Sequence, residues 1–214
     1  MEAPTRHIFG ETTVLFVMAT RQEYTLALQK KISALITGVG PIEASAGLAA
    51  LLGEWKGAKL GVPDLIVALG SAGSPTLDHA GIYQASSVTY RDMDCSPLGF
   101  ERGVTPFSEH PATLALGPRI PGVKSATLSS GGAIINGAAY EELGADMVDM
   151  ETYSYAHAAR RFGVPLISLR GISDGRDPLM HVDDWTKALE DIGLGLCRAI
   201  DLLGEMLESA DTPP

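Results

Sequence analysis

Short apolar runs alternate with longer amphipathic stretches along the first part of the chain. Residues 14–19, 32–37 and 64–69 are apolar runs, and unbroken hydrophobicity over such short segments is typical of strands buried on both faces. Helical patterns over 21–31 and 42–55 lie between these runs. The alternation predicts an α/β fold in which helices cover both faces of a sheet.

The second half of the chain repeats this alternation after a long interruption. Residues 82–90 alternate between apolar and polar positions, which predicts an antiparallel or edge strand. Residues 91–121 are rich in Pro, Gly and polar residues, and a loop of this length usually serves a function or an interface. The remaining predicted elements are a short strand over 147–150, a helix over 152–163, a strand over 165–170 and one long amphipathic helix over 182–208.

The composition fits one folded domain and argues against several functional classes. With 45% hydrophobic residues and no repeat or linker, the 214 residues are predicted to form a single domain with an ordered core over about 13–207. The 26 acidic residues outnumber the 16 basic ones, so we expect neither nucleic acid nor a membrane surface as a partner.

The cysteines and the N-terminal segment indicate the compartment. Cys95 and Cys197 form no CxxC pair, which argues against a disulfide framework or a thiolate zinc site. The segment MEAPTRHIFGETT has no apolar core of a secretory signal, and no apolar run approaches the ~18 residues that span a bilayer. We therefore expect a cytoplasmic protein. The histidines show no metal-binding spacing, so no metal is expected.

Candidate functional residues lie at the ends of four of the predicted strands. They occupy 20–23, 70–74, 150–151 and 170–174. Ligands of α/β sheets bind beyond the carboxyl ends of strands, where segments distant in sequence meet. We therefore expect these four segments to form one site.

Each charged residue in these segments also has an ordinary structural interpretation. Glu23 follows Thr20 at the spacing of a helix capping box, and Glu151 begins a predicted helix, where the dipole favours a carboxylate. Asp174 suits a turn or an N-cap. Arg170 ends an apolar strand and needs a partner, for which the three carboxylates are candidates.

The glycine-rich segment 70–74 leaves two interpretations open. It could form a tight turn after a strand, or its small residues could let backbone N–H groups approach an anion, a sugar or a water. A segment of this kind alone is weak evidence for either.

Seven segments together resemble one known family. In order they read VMATRQEY, ITGVGP, LIVALGSAGS, YRDMDCSPLGF, SSGGAIING, ADMVDME and SLRGISDG, and the resemblance runs from about Val14 to Leu203. The sequence resembles the nucleoside phosphorylase and nucleosidase superfamily, and within it the 5′-methylthioadenosine/S-adenosylhomocysteine nucleosidases. The resemblance implies a three-layer α/β/α sandwich around a mixed, twisted sheet, a purine nucleosidase activity and no cofactor.

The resemblance implies the following catalytic roles. Asp174 matches the acid that protonates N7 of the departing adenine. Glu23 matches the base that takes a proton from the attacking water, and Ser71 and Arg170 help to hold that water. These roles suit the chemistry, because cleavage of an N-ribosidic bond places positive charge on the sugar and negative charge on the base.

The resemblance also implies residues that bind the sugar and the base. Glu151 would take the ribose hydroxyls, and Met150 would pack against the sugar. The backbone of Ile135 would contact the adenine edge, and Ser173 would steady Asp174.

At the 5′ end of the substrate, Val39 matches a residue that lines the alkylthio pocket. Cys95, Leu98 and Phe100 match a loop that closes the pocket of the neighbouring subunit, which implies a homodimer.

The sequence departs from the family pattern at three places. Ile134 stands where relatives carry a phenylalanine that stacks on the purine, and Gly132 replaces an aspartate. Residues 20–22, Thr-Arg-Gln, replace a methionine and acidic residues, and Arg21 could favour an anion.

Two other functions remain open from the sequence. A phosphate-dependent phosphorylase of the same fold needs arginines to clamp phosphate, but Ala68 stands where such enzymes carry one, and Glu23 would repel the anion. A non-catalytic nucleoside-binding relative would not need both an acid and a base. The 5′ substituent is not fixed either, and an aminodeoxyfutalosine-type substrate is an alternative.

Overall fold

Strands and helices alternate along the chain in the computed structural model, which describes residues 4–175 and 180–210. The strands are β1 (His7–Phe9), β2 (Thr12–Met18), β3 (Ala34–Ile36), β4 (Leu65–Gly73), β5 (Ile82–Tyr90), β6 (Thr113–Ala115), β7 (Lys124–Ser130), β8 (Met147–Asp149) and β9 (Leu166–Asp174). The α-helices are α1 (Leu26–Lys31), α2 (Pro41–Gly57), α3 (Thr152–Arg161), α4 (Val182–Thr186) and α5 (Leu189–Ala210). Short 3₁₀ turns cover Ser96–Leu98 and Gly137–Glu142.

The strands form one mixed sheet. β4 lies in its middle, parallel to β2 on one side and to β9 on the other. β5 pairs antiparallel with β9 and β6 and parallel with β7, which in turn runs parallel to β8. β8 returns to β4 through one antiparallel pair, Gly73 with Val148, so five strands curl into a ring. The carboxyl ends of β4 and β9 therefore lie side by side, close to β8.

Helices cover both faces of the sheet, and each face has its own apolar core. Alternate residues of β2 show the division, because Leu15 and Val17 pack toward α2 and α3, whereas Val14 and Phe16 pack toward α1 and α5. β4 divides in the same way. This three-layer arrangement around a mixed sheet confirms the fold class that was predicted from the sequence.

The predicted elements in the first half hold with three corrections. α1 begins at Leu26 rather than at residue 21, because the preceding residues form a turn in which Thr20 Oγ1 accepts the Glu23 N–H at 3.2 Å. Residues 70–73 continue β4 instead of forming a turn, because β9 pairs with them. The strand over 82–90 is antiparallel to two neighbours, as predicted, but it is not an edge strand.

The second half differs from the prediction in four places. β6 (Thr113–Ala115) lies inside the predicted loop over 91–121, where it pairs antiparallel with β5. β7 was not predicted, because Lys124–Ser130 is mostly polar or small. β9 continues past Arg170 to Asp174. The predicted helix over 182–208 is two helices that are interrupted at 187–188, where no Pro or Gly marks the break.

The ends of the chain are only partly described. α5 continues to Ala210, so residues 208–210 are helical, whereas 1–3 and 211–214 lie outside the described residues. Within the part that the structure describes, none of the helices combines the length and the apolar character needed to cross a membrane.

Candidate active site

A cavity of about 480 Å³ opens at the carboxyl ends of β4, β8 and β9. Side chains from all four predicted segments reach it, among them Glu23, Ser71, Glu151 and Asp174. Most of the remaining wall is apolar, as in typical small-molecule sites. The structure therefore brings the four predicted segments together at one cavity, as expected. Among the described residues, no cluster of His, Cys, Asp or Glu side chains is arranged to hold a metal ion.

Glu23 is held at one side of this cavity by the end of β4. Its side chain is 8% exposed, and Oε1 accepts both the backbone N–H and the hydroxyl of Ser71, each at 2.7 Å. Thr20 Oγ1 lies 3.3 Å from Oε2. The Thr20–Glu23 contacts of a capping box exist, but no helix begins at Thr20, so they orient a carboxylate instead of capping a helix.

Arg170 lies behind the cavity wall at the centre of the site. It is 1% exposed, and its Nη2 makes an ion pair of 2.7 Å with Oδ2 of Asp149. Thr152 Oγ1 accepts from the same guanidinium at 2.8 Å and donates to Asp149. The salt-bridge partner is thus Asp149, not one of the three carboxylates considered from the sequence. Burial lowers the pKa of Arg170, but Asp149 and the other nearby carboxylates outweigh this and raise it.

Glu151 occupies the wall next to this ion pair. Its Oε1 accepts the backbone N–H of Gly40 at 2.8 Å, and Gly40 has φ of 93°, which a glycine adopts without strain. Burial, followed by repulsion from Asp149, raises the pKa of Glu151 to about 7, against an opposing effect of Arg170. This carboxyl therefore exchanges its proton near neutral pH.

Asp174 is turned toward the cavity by an irregularity in β9. Ala72 pairs with Ile172 and Gly73 with Asp174, so Ser173 is an extra residue in the ladder, as in a β-bulge. Ser173 Oγ donates to Asp174 Oδ2 at 2.7 Å, which fits the predicted steadying contact. On the other side, Tyr140 O–H points to Asp174 Oδ1 at 3.5 Å.

The small residues of β4 leave space for these side chains. A Cβ on Gly70 would collide with Arg170 Nη1 and lie 3.1 Å from Glu23 Oε1. A Cβ on Gly73 would collide with the Tyr140 hydroxyl and lie 2.7 Å from Asp174 Oδ1. The glycines thus allow side chains to approach β4 closely. In this segment the backbone N–H of Ser71 donates to a side chain of the same chain, Glu23.

The segment after β7 forms another part of the wall. Ile134 and Ile135 both line the cavity, although Ile134 remains 70% exposed. Arg91 fixes this segment to β8 by donating to the carbonyls of Ser129, Asp149, Gly131 and Ala133 at 2.6 to 2.9 Å. Gly132, which replaces an aspartate of the family pattern, donates its N–H to Asp92 Oδ2 at 2.6 Å.

The predicted site residues divide into three groups by position. Met150 and Val39 line the cavity with those already described. Arg170 and Ser173 lie behind its wall and act on residues that line it. Cys95, Leu98 and Phe100 belong to a surface loop that does not line the cavity of its own chain.

Several residues of the site were not assigned from the sequence, among them two charged and two aromatic ones. Asp149 and Arg91 stand inside segments that carry the family resemblance, and their charge in a strand context was a usable signal. Tyr140 and Trp185 line the cavity but stand in stretches without a recognisable motif. Only the tertiary structure brings these two to the site.

The elevated pKa of Glu151 predicts how stability depends on pH. A carboxyl with an ordinary value of 4.5 in the unfolded chain and about 7 in the folded one keeps its proton longer when folded. The free energy of unfolding should therefore fall as pH rises from about 5 to about 7, and Glu151→Gln should make this slope shallower. Urea unfolding across this range measures it. The exposed Glu54→Gln should keep the original slope, and an unchanged slope in Glu151→Gln would contradict the prediction.

Comparison with known proteins places the chain in a family. The model of the family described as "Phosphorylase superfamily" matches residues 2–201. Three solved structures have the same fold at low identity. A putative 5′-methylthioadenosine/S-adenosylhomocysteine nucleosidase from Borrelia burgdorferi, bound to adenine, aligns with a TM-score of 0.77 and 18% identity over 90% of this chain and 99% of its own.

The second is the Colwellia psychrerythraea nucleosidase of the same description in complex with adenine. It aligns with a TM-score of 0.76 and 17% identity over 94% of this chain and 98% of its own. The third, a futalosine hydrolase mutant from Helicobacter pylori, aligns with a TM-score of 0.74 and 18% identity over 88% of this chain and 98% of its own. Structural similarity at 17–18% identity establishes the fold alone. The family model, which matches nearly the whole chain, establishes the family. The chain belongs to the phosphorylase superfamily and has its nucleoside phosphorylase/nucleosidase fold.

Proposed function

We propose that this chain is a purine nucleosidase, acting as a single domain, that hydrolyses the N-glycosidic bond of 5′-methylthioadenosine and S-adenosylhomocysteine. One observation carries the proposal. A buried carboxylate, Glu23, and a second carboxyl, Asp174, line the same cavity at the ends of different strands. An acid and a base on one cavity are what hydrolysis of a glycosidic bond needs.

The proposed mechanism gives each carboxyl a separate task. Asp174 protonates N7 of the purine as the bond to C1′ breaks, which neutralises the leaving group. Glu23 accepts a proton from the water that attacks C1′. Glu151 accepts hydrogen bonds from the ribose hydroxyls and, once ionised, stabilises the positive charge that develops on the sugar.

The geometry gives little support to phosphate as the nucleophile. At the position where such enzymes carry a phosphate-binding arginine, this chain has Ala68, and Ala68 is fully buried in the core on the α2–α3 face. Arg21 is exposed and does not line the cavity. Glu23 lies where a phosphate would have to bind, and two anions would repel each other.

A futalosine-type nucleoside is the second candidate substrate. The futalosine hydrolase mutant from Helicobacter pylori aligns with this chain at a TM-score of 0.74, the same value as an MTAN mutant from that organism with 5′-methylthioadenosine in its active site. The aliphatic Ile134 next to the base position offers no ring for stacking, so it does not select one purine over another. The two candidates share the reaction and differ in the 5′ substituent and the base.

The experiment that tests the proposal follows base release from a panel of nucleosides in phosphate-free buffer. 5′-Methylthioadenosine and S-adenosylhomocysteine should yield free adenine. Release that needs added phosphate or arsenate would establish a phosphorylase, and release only from futalosine-type nucleosides would establish the second candidate. Binding without release from any of them would contradict a nucleosidase and favour a nucleoside-binding protein.

Isosteric variants in the same assay separate chemistry from binding. Asp174→Asn cannot deliver a proton and Glu23→Gln cannot accept one, so kcat should fall about 10²-fold or more for each, while KM changes far less. Near-normal turnover of Glu23→Gln with a lowered melting temperature would return Glu23 to a purely structural role.

Gly70→Ala should also impair turnover, because its Cβ would collide with the Arg170 guanidinium and crowd Glu23. We expect kcat to fall about tenfold or more, since small displacements of catalytic groups are costly. Gly53→Ala is the matched control, because nothing lies within 4 Å of a Cβ at this helical position. Equal activity of the two variants would show that the close approach at Gly70 has no catalytic importance.

We further propose that the enzyme is a homodimer in which the loop containing Cys95, Leu98 and Phe100 reaches the partner's pocket. Leu98 is 78% exposed, and Phe107, which makes an edge-on contact with Phe100, is 99% exposed. Phe107 also has φ of 61°, an unfavourable conformation for a bulky residue. A solvent-exposed apolar group of this kind usually marks a contact surface.

Light scattering tests the dimer. The wild-type protein should have twice the mass of one chain, and Leu98→Asp should dissociate it and lower turnover, because it places a charge in the interface. Leu60→Asp is the control, since Leu60 is 61% exposed in a different part of the surface. A fully active monomer would contradict the proposal.

A further inference from the structure

Trp185 of α4 is hydrogen-bonded to Ser71, which in turn holds Glu23. Its indole Nε1 donates to Ser71 Oγ at 2.8 Å, and Ser71 Oγ in turn donates to Glu23 Oε1 at 2.7 Å. Trp185 also lines the cavity. The indole is thus the first member of a hydrogen-bond chain that ends on the proposed base.

We propose that Trp185 is a positioning residue that fixes the direction of the Ser71 hydroxyl and, through it, the orientation of the attacking water. The proposal rests on the nucleosidase function above. It adds to that function a residue from a helix that carries none of the family motifs in the sequence.

The direction of the chain follows from the chemistry of its members. An indole N–H can only donate, and an ionised carboxylate can only accept. A serine hydroxyl has one proton and two acceptor sites, so its proton cannot point toward Trp185 Nε1. With the indole in place, the Ser71 proton is committed to Glu23, and bonds in such a chain strengthen one another.

This commitment leaves one acceptor site on Ser71 free for a water. The backbone N–H of Ser71 also donates to Glu23 Oε1, while Oε2 has the Thr20 hydroxyl 3.3 Å away. A water beside Glu23 and Ser71 therefore meets two acceptors and directs both of its protons toward them. Its oxygen lone pair is then left to face C1′ of the sugar.

Water, Glu23 and Asp174 account for every bond and proton in the reaction. The water oxygen forms the bond to C1′ while the bond from C1′ to the base nitrogen breaks and its electron pair stays on the base. One water proton passes to Glu23, and the base receives a proton at N7 from Asp174. Trp185 and Ser71 exchange no proton.

Without the indole N–H, the Ser71 hydroxyl is free to rotate. Its proton can then point to the water instead of Glu23, and the water loses one of the two acceptors that orient it. Trp185→Phe keeps an aromatic ring against the cavity wall and removes the N–H donor together with part of the indole volume. We expect kcat to fall about fivefold, the scale of one hydrogen bond, with KM within about twofold of the wild-type value.

A double-mutant cycle with Ser71→Ala tests the proposal. If Trp185 acts through the Ser71 hydroxyl, Trp185→Phe should have almost no further effect on kcat once that hydroxyl is gone. If the ring only supports the fold or the wall, Trp185→Phe should cost the same factor in both backgrounds. Equal losses, or no loss in Trp185→Phe alone, would overturn the proposal.

The cycle also separates this proposal from the function on which it rests. Failure of the wild-type enzyme to release base from any nucleoside would overturn both, whereas release with additive losses would overturn only the role of Trp185. Trp55→Phe is the matched control, because Trp55 lies in α2, where Arg6 stacks on its ring at 4.3 Å. It should alter the melting temperature and leave kcat unchanged.

Discussion

The buried ion pair between Arg170 and Asp149 is the interaction on which the whole site depends. It joins β9 to β8 and, through Thr152, to the start of α3, at the place where the three elements meet. Both side chains are 1% exposed, and losing either partner of such a pair leaves an uncompensated charge, at a typical cost of about 3–5 kcal/mol. One guanidinium faces several carboxylates here. Burial and repulsion from Asp149 raise the pKa of Glu151 to about 7, and Arg170, which is paired with Asp149, opposes this only in part.

The small residues of β4 determine how closely the catalytic groups approach this centre. Side chains at Gly70 and Gly73 would occupy the space that Glu23, Arg170 and Asp174 now share. The absence of side chains at these two positions therefore allows the catalytic groups to come together. The extra residue in β9 has a complementary effect, because it turns Asp174 toward the cavity without breaking the pairing with β4.

The sequence predicted the architecture and the meeting of the strand ends, because both follow from apolar runs of strand length. It did not predict the partner of Arg170, since three carboxylates were equally suitable by type and only the tertiary structure selects a fourth, Asp149. Tyr140 and Trp185 were not predicted as site residues either, because each is a single aromatic residue without a pattern around it. The polar strand β7 carried too little hydrophobicity to be recognised.

The division of the apolar interior by the sheet has a consequence for how such a chain can change. The core around Leu48 and the core around Phe16 lie on opposite faces and are built from separate helices. A substitution in one can be compensated by its neighbours on that face while the other stays unaltered, as expected for sites that share no contacts. The backbone at the edge of the sheet, where the carboxylates lie, then keeps its position while the amino-acid sequence of either core changes. Chains with 17–18% identity can in this way retain one backbone, as this chain and the aligned nucleosidases do.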